Sequence, residues 1–313
     1  MKPITWLNAS KLNPNVTLDK LEEIATVRKG SNSISFSSFR YIEYIGIIQS
    51  QLKFPKTDEE IGQEWVVTKA VNRCLLSNSL NKNDLIEVAN EVLADALAKQ
   101  QDTYHLLTSI SVGKAFPVRR IKVAGCVVSF YETSYPKKYK GREEAVHSNY
   151  ASTHNIEHKN YIKCVVTTKA KYSKSAARKA LYALDYIRAC FCLMGNPVIE
   201  FNSGESFDKP INIIRLGKFH TLHNKLGKAL EDELWFEPNF FEHAKVPLSH
   251  PDRHRNNLDH FQKKLAASKY SGTIRDSLVR YVRSCDERDS NTCFIKLWGT
   301  LARISHEGIK ESG

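Results

Sequence analysis

The sequence predicts an α+β protein with a helical N-terminal part, a central mixed α/β unit of antiparallel or mixed strands, and a helical C-terminal part. Three observations carry this. Apolar residues recur at helical spacing in the first hundred and the last sixty positions. Clusters of β-branched residues begin near residue 104. The chain has 313 residues, 42% hydrophobic and 26% charged, which suits a folded chain of more than one domain. The expected regions are 1–103, 104–250 and 251–313.

In the first region Thr17 is placed to cap a helix carrying Leu18, Leu21 and Ile24, with Gly30 beyond its end. A second helix through Ile42, Ile45 and Ile48 stops before Pro55. The acidic run Asp58-Glu59-Glu60 opens a third over 61–76, where negative charge favours a helix start. A fourth, over 85–98, has the strongest periodicity. Strands are expected over 106–112, 121–131, 161–168, 198–201 and 211–216. A polar loop over 133–159 holds His147, His154 and His158, and a second loop-rich stretch covers 217–252. The clearest helix, 176–193, follows Ser173 and Ser175 and ends at Gly195 before Pro197. Three more are expected over 256–267, 273–284 and 292–304.

No run reaches the roughly 18 apolar residues needed to span a bilayer, and no secretory leader is visible, so a cytoplasmic protein with no membrane partner is expected. Seven cysteines without a CxxC pair read as reduced core residues. Neither GxxxxGK[ST] nor GxGxxG occurs, and no cofactor is expected. His220 and His223, with Glu242, His243 or His250, make at most half a metal site, so no metal is assigned.

The net charge of +12 is concentrated. Residues 116–179 hold 14 Lys and Arg against 4 Asp and Glu, whereas 1–115 balance at 13 against 13. The cations fall in groups: Arg119, Arg120 and Lys122; Lys137, Lys138, Lys140 and Arg142; Lys169, Lys171, Lys174, Arg178 and Lys179. Tyr135, Tyr139, Tyr150, Tyr161 and Tyr172 lie among them. Cations with interleaved aromatics suit nucleic acid, whose phosphates need neutralising and whose bases stack. Lys174, Arg178 and Lys179 oppose the dipole of the helix they open, and a bound phosphate would relieve that cost.

Arg255-Asn256-Asn257-Leu258-Asp259-His260 combines a guanidinium that can clamp a phosphate with an imidazole that can move a proton. Arg255, Asn256 and His260 match the R-[N/D/H]-xxx-H signature of the HEPN superfamily. The stretch Ser277-Leu278-Val279-Arg280-Tyr281-Val282, then Asp289, then Phe294-Ile295-Lys296-Leu297-Trp298-Gly299-Thr300-Leu301, resembles the helical region of Apea-like HEPN proteins of bacterial defence loci. The resemblance implies an antiphage or toxin-type protein that is a metal-independent ribonuclease, with Arg255 as phosphate clamp, His260 as proton-transfer residue and Asn256 beside them. It also implies RNA rather than DNA, a homodimer, and further helices after 313. The alternative is a non-enzymatic nucleic-acid-binding or sensor subunit that docks a partner protein.

Overall fold

The computed structural model describes residues 2–7, 13–28, 33–55, 61–113, 119–149, 161–195, 210–241 and 251–309. The expected strand over 198–201, His154, His158, Glu242, His243 and His250 lie outside them. The chain forms two compact units, 1–100 and 101–313.

The first unit is helical, as the sequence indicates. It runs β1 (Thr5–Trp6), α1 (Pro14–Ile24), β2 (Ala25–Val27), β3 (Ile34–Phe36), α2 (Tyr41–Ser50), β4 (Leu52–Lys53), α3 (Gln63–Leu76) and α4 (Lys82–Ala98). α1 starts earlier than Thr17: the Asn13 side chain accepts from the Asn15 N–H, and Pro14 supplies a preset φ for the first turn. Asn81 caps α4 through the amides of Asn83 and Asp84. Asn90 bonds both backbone groups of Ile4, tying the N-terminal strand to α4.

The second unit comprises β5 (Asp102–Ile110), β6 (Arg120–Val123), β7 (Cys126–Tyr131), α5 (Arg142–Asn149), β8 (Ile162–Ala170), α6 (Ser173–Gly195), β9 (Phe219–His223), β10 (Ala229–Phe236), α7 (Pro251–Ala266), α8 (Ser271–Cys285) and α9 (Ser290–Ile309). Six strands make one antiparallel sheet in the order β10-β9-β5-β8-β7-β6. The stretch read as one strand over 121–131 is a hairpin. Ala124 and Gly125 have φ of +47° and +73°, the two left-handed positions of a two-residue turn. The sequence reading missed β9 and β10, because Ala229, Leu230, Glu231 and Glu233 are helix formers and pairing overrides that preference.

α6 lies across one face of the sheet, burying Ala180, Leu184, Ile187 and Phe191 against Leu106, Val128, Cys164 and Val166. Each large apolar side chain so buried contributes roughly 1.5–3 kcal/mol. α8 packs on α6, so the regions 104–250 and 251–313 share one core.

A buried ionic network joins these layers. Arg188 of α6, fully buried, bonds Asp185 at 2.7 Å and Asp286, just past α8, at 2.9 Å. Arg215 meets the same Asp286 at 2.7 Å and also donates to the Asn239 carbonyl. Arg283 of α8 bridges Asp185 at 2.6 Å and Glu237 at 2.8 Å. Three guanidiniums thus face three carboxylates, and Asn212 donates to Asp286. Removing one partner leaves an uncompensated buried charge, a loss of about 3–5 kcal/mol. Asp286→Ala should lower the unfolding free energy of the second unit by about that amount in urea titrations. Asp95→Ala, which breaks the exposed Arg73–Asp95 pair, should cost under about 1 kcal/mol.

Candidate nucleic-acid interface

Strand alternation sorts the side chains of the sheet onto two faces. Leu106, Cys126, Val128, Phe130, Cys164 and Val166 turn toward α6. The other face is read from the register. One row across it is Lys122, Val127, Thr167, His105 and His223, and the next is Arg120, Ser129, Val165, Leu107 and Thr221. Lys169 lies two residues beyond Thr167 on β8, and Tyr131 pairs with Lys163. Arg120, Lys122 and Lys169 are exposed, while Val127, Ser129, Tyr131 and Thr167 are half-buried.

The segment 132–141 crosses this second face as a strap and delivers α5. Tyr135 donates its hydroxyl to the Thr108 carbonyl at 2.6 Å. Arg142, expected to hold phosphate, is 7% exposed and committed elsewhere. Its guanidinium donates to the carbonyls of Leu107 (3.1 Å) and Phe219 (3.0 Å) and to the Thr221 hydroxyl (2.5 Å). β9 pairs with β5 only over residues 221–223, and Arg142 fills the notch where they diverge. It is a structural staple, and its place in the candidate interface is withdrawn.

Lys137, Lys138 and Lys140 are exposed on the strap. The strap is locked to the β9–β10 turn by the Lys140 N–H to Gly227 carbonyl and Ala229 N–H to Lys140 carbonyl bonds, both 3.0 Å. Gly227 has φ +86°, and a Cβ there would stand 2.5 Å from the Lys138 carbonyl, so only glycine fits. This turn brings exposed Lys225 and Lys228 beside the strap lysines. Sequence reasoning missed both, although Asn224 three residues before Gly227 is a turn signal. Tyr139 stacks edge-on against His105 and His223 with Lys138 over its ring, and burial together with Tyr131 pushes its phenol up to about 12.

The remaining expected cations lie elsewhere. Arg119 precedes β6, and its carbonyl accepts from the Phe130 N–H. Lys171 follows β8. Lys174, Arg178 and Lys179 are on α6, the helix that covers the opposite face of the sheet. The Ser173 hydroxyl at the start of α6 donates to the carboxylate of Glu233, so the charge meeting this helix start is the protein's own. The basic stretch of the sequence is therefore divided between two sides of the unit.

Arg255, Asn256 and His260 are exposed on α7, which starts before all three. Five residues along a helix place Arg255 and His260 about 140° apart around the axis. His260 borders a cavity of about 290 Å³ lined by Cys190, Leu193, Met194, Leu258 and Phe261. His220 and His223, three apart on a strand, point to opposite faces. His220 Nδ1 lies 2.8 Å from Thr108 Oγ1 and Nε2 3.2 Å from Glu237, whereas His223 Nδ1 lies 2.9 Å from the Gly227 carbonyl. They cannot share a metal ion, and no group of three potential ligands occurs among the described residues.

No family model, curated protein or solved structure matches this chain.

Burial holds His105 and His220 below the usual imidazole value of 6.5 and takes His223 down to about 4. The unfolded chain takes up protons near 6.5 that the folded chain refuses, so these residues stabilise above that pH and the stability is lost as pH falls. Glu237, held low chiefly by His220 and Arg283 against the opposing effect of burial, acts in the same direction. The thermal midpoint should fall progressively from pH 6.5 to 4, and the fall should be smaller in His223→Gln. A midpoint flat over that range would contradict the buried, neutral histidines.

Proposed function

We propose that the protein binds nucleic acid through the sheet face opposite α6, together with the strap 132–141 and the turn at 224–228. The observation that carries this reading is the composition of that face. Its exposed strand positions on β6 and β8 are Arg120, Lys122 and Lys169, and no acidic residue lies on this face of β6, β7 or β8. Five exposed lysines on the strap and turn extend the positive field over the same face. Phosphate neutralisation by such a surface releases counterions and gives salt-dependent affinity.

The reading favours a non-enzymatic binding subunit over a ribonuclease that works within one chain, because Arg255 and His260 diverge around α7. α9 adds support: Phe294, Ile295, Trp298 and Leu301 are 58–69% exposed along one side of the helix, as on a surface that meets another protein. A role in antiphage or toxin-type defence rests on the resemblance of residues 255–260 and 277–301 alone.

Charge reversal tests the surface. The triple change Arg120→Glu, Lys122→Glu and Lys169→Glu should weaken binding of a labelled RNA at least tenfold and flatten its salt dependence, read by fluorescence anisotropy. Lys174→Glu with Arg178→Glu, on the α6 side, should do so much less, and the reverse ranking would move the interface to α6. Incubated with labelled RNA and EDTA, the protein should leave the RNA intact. Cleavage that disappears in His260→Ala would reinstate the ribonuclease.

A further inference from the structure

We infer that the face recognises unpaired nucleotides, a single strand laid across β6, β7 and the 167–169 end of β8, rather than a duplex. This rests on the nucleic-acid reading above and narrows it.

The open floor consists of Val127, Ser129 and Thr167, half-buried and uncharged. One side is bounded by the strap, where Tyr139 and Lys138 stand next to His105. The other side is edge strand β6 with Arg120 and Lys122. From β6 to β8 is two strand spacings, about 10 Å. A B-form duplex has a major groove alone about 12 Å wide, so it can meet such a floor only at its outer phosphates. A single strand fits, with its phosphates toward the rim cations and its bases toward the floor.

The floor also offers what an unpaired base uses. Tyr131, half-buried at the end of β7, lies two residues beyond Ser129 on the same face of the sheet, so its ring borders the floor. Stacking on a tyrosine requires a free base face, which a paired base lacks. The uncharged floor would also be wasted on a ligand read only through its phosphates. Arg120 and Lys122, at alternate positions on β6, stand about 7 Å apart on the rim. Lys169 continues the rim at the hairpin end. The cations therefore surround the floor and leave it uncharged.

The test uses the full chain with labelled oligonucleotides of about 12 nucleotides, within the usual footprint of a single-strand site. Single-stranded RNA, single-stranded DNA and the matching blunt duplexes would be titrated by anisotropy against the parent, Tyr131→Ala and Tyr131→Phe. The parent should bind at least one of the single strands tenfold or more tighter than its duplex. Tyr131→Ala should lose five-fold or more for that strand and change little for the duplex. Tyr131→Phe should retain single-strand binding, which separates loss of stacking from loss of fold. Equal affinity for strand and duplex, or equal weakening of both by Tyr131→Ala, would overturn the single-strand assignment while leaving nucleic-acid binding intact. No binding of any oligonucleotide would overturn both.

Discussion

The second unit depends on a network of six charges, five of them buried and the sixth, Arg283, partly exposed. Arg188, Arg215 and Arg283 face Asp185, Asp286 and Glu237, and each guanidinium meets more than one acceptor. Desolvating such ions is expensive, and a set of well-packed apolar residues in their place is often as stable. What the network supplies is direction: Asp286 accepts from α6, from Arg215 and from Asn212, so the end of α8 has one position on the sheet. α6 thus covers one side of the sheet, and on the other the strap leaves only the β6–β7 end open.

That other side owes its character to strand alternation. On β6 the order Arg120-Ile121-Lys122-Val123 places two apolar residues in the core and two cations outside. On β8, Lys163, Val165, Thr167 and Lys169 alternate with Ile162, Cys164, Val166 and Thr168. Packing and charge are thus specified by the same residues in turn. Arg142 shows the limit of reading charge from composition: in sequence it is one more cation in a basic run, yet the divergence of β9 from β5 converts it into a donor to main-chain carbonyls.

Much of the architecture was legible in the sequence. The helix carrying Ala180, Leu184 and Ile187 was clear from its spacing, and the β-branched runs marked β5, β7 and β8. The β9–β10 hairpin was not, because the helix-forming preferences of Ala229–Phe236 are overruled by pairing with residues six to seventeen positions earlier. The concentration of charge was plain, but its division between the two faces of the sheet was not, since that depends on which face α6 covers. Lys225 and Lys228 join the strap lysines only through the turn at Gly227, a meeting of segments nearly ninety residues apart that no local pattern encodes.

The ionic network also bears on how the chain is made. Arg188 and Asp286 are 98 positions apart. As the polypeptide emerges, α6 can form and meet the sheet while its guanidinium still lacks half of its counter-charge. The second unit therefore cannot close behind the ribosome strand by strand. It must wait for the turn between α8 and α9, and until then Asp185 is the one carboxylate of the network that Arg188 can meet on its own helix.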